Sequence, residues 1–146
     1  MDIFLDTSVL VKLYSEEADS YIYDNLFKLN KINTIFLSEI TKIEFESALW
    51  KKSRKQLLTL DDLKIVTQKF EEDYKNFTFI NTNKGVLKLA KKLFSIYGSQ
   101  GLRSLDSIQL ATCIKLKNEA ILFLTADTLL KTFLIAEGLN TTIPTT

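Results

Sequence analysis

Three short runs constrain the fold most: Ile3-Phe4-Leu5, residues 34–37 (Thr-Ile-Phe-Leu) and residues 120–124 (Ala-Ile-Leu-Phe-Leu). A run too short for a helix and almost wholly apolar has no face to offer water, so it suits a strand covered on both sides. Two further β-type runs, 77–80 and 141–143, bring the expected strands to five. Helical stretches fall between them. Residues 7–14 and 16–29 follow the first strand, and 39–55 follows the second, with Ile40, Ile43 and Ser47 on one stripe. Thr59 reads as an N-cap with Asp61 and Asp62 in the first turn of a helix running to about Tyr74. Residues 84–97 repeat apolar positions at helical spacing up to Gly98, and 105–117 and 128–137 complete the series, the last ending at Gly138. This alternation predicts an α/β fold of three layers, with a five-stranded, largely parallel central sheet flanked by helices. Four glycines and one proline leave no linker to divide the chain, so residues 1–146 are expected to form a single domain.

Composition narrows the chemistry. There is no histidine, which excludes serine–histidine hydrolysis and histidine-ligated zinc. Cys113 is the one cysteine and has no partner for a disulfide, which fits a reducing compartment, by default the cytoplasm. No basic leader precedes the first strand and no apolar run approaches the ~18 residues of a membrane span, so neither secretion nor membrane association is expected. Nineteen basic against eighteen acidic residues leave +1, so any grip on a polyanion must come from local patches.

What remains is carboxylate chemistry. Asp6 follows the first strand directly and Asp127 lies three residues after Leu124, so both are expected at the carboxyl edge of the sheet, where such folds bind ligands. Asp106 falls in the first turn of its helix, and Glu44 lies on or beside an apolar stripe, where a charge needs a partner. Each has an ordinary explanation: a turn former or cap for the three aspartates, a salt bridge to lysine for Glu44. Four acids converging without cations would repel one another unless a divalent ion neutralised them. Oxygen-only donors suit Mg²⁺ or Mn²⁺, ions that activate water for in-line displacement at phosphorus.

The opening Asp2-Ile-Phe-Leu-Asp-Thr-Ser-Val-Leu-Val-Lys-Leu-Tyr14 resembles that of PIN-domain ribonucleases, particularly the VapC-type toxins of toxin–antitoxin modules. The resemblance extends through the chain: Glu44 four residues before Ala48-Leu49, Asp106 in Leu105-Asp-Ser-Ile-Gln-Leu-Ala-Thr112, and Asp127 in Phe123-Leu-Thr-Ala-Asp127. Thr128-Leu129-Leu130 departs from the polar residues often found after the fourth acid. The resemblance implies a metal-dependent endoribonuclease in which Asp6, Glu44, Asp106 and Asp127 hold one or two Mg²⁺ or Mn²⁺ ions and leave 5′-phosphate and 3′-hydroxyl ends. It also implies an RNA substrate, a cognate antitoxin and a homodimer. Thr7, Ser8 and Thr125 flank the acids as candidate orienting hydroxyls, with helix capping the alternative for Ser8. Glu46, about 200° around the helix from Glu44, is not expected at the site.

Arg103, three residues before Asp106, is the candidate phosphate contact, with a loop salt bridge as its alternative. The run Lys51-Lys52-Ser53-Arg54-Lys55 either touches RNA or complements a helix C-terminus. Tyr14, Tyr21, Tyr23, Phe27 and Trp50 either stack on bases or belong to core and interface. Two other functions compete: a receiver-type signalling domain, disfavoured because Thr7-Ser8 follows Asp6 where a second acid is wanted, and a PIN-type module that binds RNA or protein without cutting.

Overall fold

The computed structural model describes residues 1–145; Thr146, the last residue of the expected domain, lies outside them. Strands β1 (Asp2–Leu5), β2 (Thr34–Ser38), β3 (Thr78–Ile80) and β4 (Leu122–Leu124) form one sheet in the order β3-β2-β1-β4. Every pairing is parallel, with Ile3 opposite both Ile35 and Leu122, and Leu37 opposite Phe79. Side chains alternate across a strand, and the core divides accordingly. Ile3, Leu5, Leu37, Leu122 and Leu124 pack under α1 (Thr7–Tyr14), α2 (Ser20–Leu29), α3 (Thr41–Arg54) and α4 (Leu60–Glu72). Phe4, Phe36 and Phe123 pack under α5 (Lys84–Tyr97), α6 (Ser104–Lys115) and α7 (Thr128–Ala136). These are the three layers expected from the apolar runs. Among the described residues no helix is long and apolar enough to cross a membrane.

The fifth strand does not form. One backbone bond, from Phe123 N–H to the Asn140 carbonyl at 2.8 Å, begins a pairing beside β4. The Asn140 side chain then takes over, its amide donating to the Ile121 carbonyl at 3.2 Å and its oxygen accepting the Thr142 N–H at 3.0 Å. Ladder groups on both segments are thus satisfied by a side chain, the competition that makes Asn a turn former, and Pro144 brings no N–H to continue. The sheet therefore has four strands.

The helix over 84–97 ends as expected, with Gly98 as its C-cap; a 3₁₀ turn, Gly98–Gln100, follows, and Gly101, at φ 96°, is left-handed, where a side chain would be strained. That reversal delivers the chain to Arg103 and α6. In α3 the buried stripe is Thr41, Phe45 and Leu49, while Ile43 is 74% exposed. A fully buried ring decides the face: Phe45 lies 4.4 Å from Phe70 and meets Tyr14 edge-on at 5.6 Å, ring centre to ring centre, while Trp50 stays exposed. This rotation sets Glu44 beside the core rather than in it.

Phe45→Ala is expected to cost about 3–5 kcal/mol, because a fully buried ring leaves a cavity. Ile43→Ala should cost within about 0.5 kcal/mol. Urea unfolding of both variants checks the assignment, and equal losses would contradict it.

Candidate active site

β1 and β4 end side by side, and the Asp6 N–H donates to the Leu124 carbonyl at 3.0 Å as their last rung. The helices that follow β1 cover one face, whereas β4 is reached from β3 through helices on the other, so the chain changes sides at this edge. Crevices at such points are where α/β sheets take ligands.

Asp6 is buried there and caps α1, its Oδ1 accepting the Val9 N–H at 3.2 Å. The same oxygen accepts the Ser8 hydroxyl at 2.6 Å, and Oδ2 accepts the Thr125 hydroxyl at 2.5 Å. Ser8 Oγ in turn accepts the Ala126 N–H at 2.9 Å, and Thr125 Oγ1 the Asp127 N–H at 3.0 Å. The hydroxyls thus orient the carboxylate and tie the start of α1 to the loop after β4.

Among the described residues Glu44 makes no salt bridge to lysine. Its Oε1 accepts the Thr7 hydroxyl at 2.9 Å and the Gln109 amide at 2.7 Å. Gln109 is the residue that sequence reasoning missed. Buried on α6 one turn beyond Asp106, it also reaches Thr41 at 3.1 Å, and its Oε1 has no hydrogen-bond partner. The signal was present as a glutamine among Ile108, Leu110 and Ala111, since a buried amide there requires polar company.

Asp106 and Asp127 share a cation. Arg103 donates from Nε to Asp106 Oδ2 at 3.2 Å and from a terminal nitrogen to Asp127 Oδ2 at 3.3 Å, although its side chain is 73% exposed. Both of its alternatives meet in this one position: it is a loop salt bridge, and it stands at the acids. Asp127 Oδ1 caps α7 through the Leu130 N–H at 2.9 Å. Glu44, Asp106 and Asp127 line one cleft of about 1060 Å³, together with Thr7, Ser8, Arg103 and the basic end of α3. Neither Glu46 nor any of the five aromatic candidates lines it. Tyr14 and Phe27 line a separate groove of about 560 Å³, and the Tyr14 hydroxyl donates to Asp73 at 2.6 Å.

Electrostatics link the acids in sequence. Burial pushes the Asp6 carboxyl up to about 6, opposed by the Ser8, Thr125 and Val9 bonds and reinforced by the charge of Glu44. Glu44 is raised by burial and by Asp106, against the Gln109 and Thr7 bonds. Asp106 is raised by burial and by Asp127, against Arg103. Such a cluster calls for positive charge. All its donors are carboxylate or hydroxyl oxygens, which fit a hard divalent cation in kind. As the side chains stand, no three carboxylates among the described residues enclose an ion; Asp6 and Glu44 are engaged by hydroxyls and an amide, Asp106 and Asp127 by Arg103.

A family model described as "PIN domain" matches residues 3–133. No curated protein matches the chain. Among solved structures, VapBC2 from Rickettsia felis, bound to a DNA fragment from its promoter, aligns at 22% identity and TM-score 0.61, over 87% of this chain and 88% of that one. A toxin–antitoxin complex from Klebsiella pneumoniae aligns at 18% identity and TM-score 0.59, over 86% and 87%. VapC20 of Mycobacterium tuberculosis, a toxin that cleaves the sarcin–ricin loop, aligns at 13% identity and TM-score 0.72, over 97% and 99%. At these identities the likeness is one of fold.

The raised Asp6 carboxyl has a measurable cost. An acid whose folded pKa of about 6 exceeds its unfolded value keeps its proton longer in the native state, so that state binds more protons between about pH 4 and 6. Stability is expected to fall as pH rises through that window, by up to about 3 kcal/mol from this group. Asp6→Asn should be more stable than the wild type at pH 7.5 and flatter between pH 4 and 6. Urea denaturation without divalent cations measures both, and a less stable variant at pH 7.5 would refute the account of Asp6.

Proposed function

Since the chain belongs to the PIN-domain family, whose model spans residues 3–133, we propose that it is a metal-dependent endoribonuclease and the toxin of a toxin–antitoxin pair. One observation carries the reading: Glu44, Asp106 and Asp127 line one cleft, Asp6 is buried beside it and bonded to Ser8 of the cleft wall, and Asp6, Glu44 and Asp106 are each pushed towards the protonated form by burial and by the charge of the next acid. A divalent cation held by Asp6, Glu44, Asp106 and Asp127 would supply an activated water and neutralise charge developing at the scissile phosphorus. Ser8 and Thr125 fix the Asp6 carboxylate, and Thr7 and Gln109 fix that of Glu44, so each acid is held before substrate arrives. In the proposed reaction Arg103 releases its carboxylates and turns its exposed guanidinium to a phosphate of the RNA, bidentate pairing being the strength of arginine.

The proposed partners are a cognate antitoxin and a second copy of the chain. Support for the first comes from the Klebsiella relative, solved as a toxin–antitoxin complex. The apolar groove bounded by Tyr14, Phe27 and Phe77 is the surface proposed for the antitoxin. The whole chain is proposed to work as one domain in the cytoplasm. Cys113, buried and pushed far towards its thiol form, is not part of the chemistry.

The test is cleavage of total cellular RNA with Mg²⁺ or Mn²⁺ against EDTA. The wild type should cut only with the cation. Asp6→Asn should lose more than the ~10–100-fold expected for Thr125→Val, which removes only a supporting bond. Equal cutting by all three proteins would identify a contaminant. No cutting by the wild type, with cation binding demonstrated, would favour a PIN-type module that binds RNA or protein without cleaving it.

A further inference from the structure

The chain carries only +1 overall, but its charge is unevenly spread. From Tyr74 to Leu105 there is no acid, and Lys75, Lys84, Lys88, Lys91, Lys92 and Arg103 all fall in that stretch. Four of these cations are on α5. Val86, Ala90, Leu93 and Tyr97 turn the apolar face of that helix to the core. At 100° per residue, Lys84, Lys88, Lys91 and Lys92 fall on the opposite side, within about 100° of arc and along about 12 Å of helix. All four are exposed, and none makes a salt bridge among the described residues. A fifth cation joins them from α6: a Cβ at Gly85 would stand 3.2 Å from Lys115 Nζ, so the missing side chain lets Lys115 lie against the start of α5. The helix is weakened by this stripe. α3, α4 and α6 each place an acid in the first turn and a cation in the last, as the dipole favours, whereas α5 has neither and carries Lys84 at its positive end. Lys84 and Lys88, Lys88 and Lys92, and Lys88 and Lys91 are like charges four or three residues apart, a spacing at which they repel. None of the five lysines lines the acid cleft, yet α5 leads to it: the Gly98–Gln100 turn and Gly101 carry the chain on to Arg103, which bonds Asp106 and Asp127.

We propose that the lysine stripe of α5, completed by Lys115, is a second RNA-contacting surface outside the cleft, on which the phosphate backbone of a base-paired part of the substrate lies while the segment to be cut occupies the cleft. The inference rests on the nuclease reading and adds where the body of the substrate is held. Uncompensated positive charge on one exposed face is complementary to a polyanion, and lysine meets phosphate as a point charge. No aromatic or amide side chain stands among these lysines, so the stripe grips a backbone and reads no base. A single strand is held in large part by stacking on aromatic rings. A double helix hides its base faces and shows phosphates and 2′-hydroxyls, which is what a row of ammonium groups can take.

Salt dependence tests the assignment. In EDTA, the affinity of a fluorescent long-stemmed RNA hairpin, and of its loop alone as a single strand, is followed by anisotropy across a salt series. Replacing Lys84, Lys88 and Lys92 by Gln, a residue of similar helix propensity, should lower the hairpin's slope of log affinity against log salt by about 2–3, since each phosphate contact on a duplex contributes ~0.9. The isolated loop, which reaches only the cleft, should keep its slope. Replacing Lys28, Lys31 and Lys64 by Gln removes the same charge from exposed positions outside both the cleft and α5, and should leave both slopes unchanged. Thermal melts establish that the two triple variants fold. Equal hairpin slopes for the two variants, or an equal drop for hairpin and loop, would overturn the surface. An unchanged hairpin slope with lost binding to phosphatidylglycerol vesicles would also overturn it, and would give the stripe to a membrane instead. Metal-dependent cleavage by the wild type alongside equal slopes would remove the surface and leave the nuclease; a slope difference without cleavage would keep the surface and remove the nuclease.

Discussion

A carboxylate buried at the end of a central strand is costly unless something answers its charge, and the architecture around β1 is arranged by how Asp6 is answered. The rung from Asp6 to Leu124 brings the two strand ends together, so the Thr125 hydroxyl can bond Oδ2 while Ser8 and the Val9 N–H bond Oδ1. Those bonds cap α1 and fix the loop that leads to Asp127. They lower the carboxyl's pKa, yet burial outweighs them, and the group remains pushed up to about 6. Hydrogen bonds orient the charge without cancelling it.

The same pattern recurs around the edge with different partners. Glu44 has an amide and a hydroxyl, and Asp106 and Asp127 have the exposed end of Arg103. Surface-screened pairing of that kind is weak, and so it is the component most easily exchanged for a stronger cation. Apolar clusters on both faces of the sheet surround strands β1 and β4, at whose ends Asp6 and Asp127 stand. Stability given up at a site for the sake of function is a common trade, and here it is concentrated in a few carboxyl groups.

How legible this was depended on whether a residue's surroundings are local in sequence. Asp6 and Asp127 were readable because the end of an apolar run fixes where a strand stops, and Asp106 because a helix start does the same. Glu44 was readable as a charge without a local reason to be near the core, but the face of α3 was not: Ile40, Ile43 and Ser47 share a stripe just as Thr41, Phe45 and Leu49 do, and the positions of Phe70 on α4 and Tyr14 on α1 decide between them. Gln109 was missed because its meaning lies in Glu44 and Thr41, on another helix. The fifth strand failed for a reason of one side chain, Asn140, whose amide competes with the backbone in a way that β-propensity does not register. The antitoxin, the second copy and the RNA are not encoded in any single motif, and they rest on family membership and on the shape of the cleft.

The central claim is that these carboxylates form a cation site in which Asp6 stays partly protonated until a divalent ion arrives. Calorimetric titration of Mn²⁺ in buffers of differing ionisation enthalpy, between pH 5.5 and 8, tests it directly. The account predicts binding that releases a proton near pH 6, a release that vanishes by pH 8 and is lost in Asp6→Asn. No binding by the wild type, or binding with the same proton release in Asp6→Asn, would contradict it.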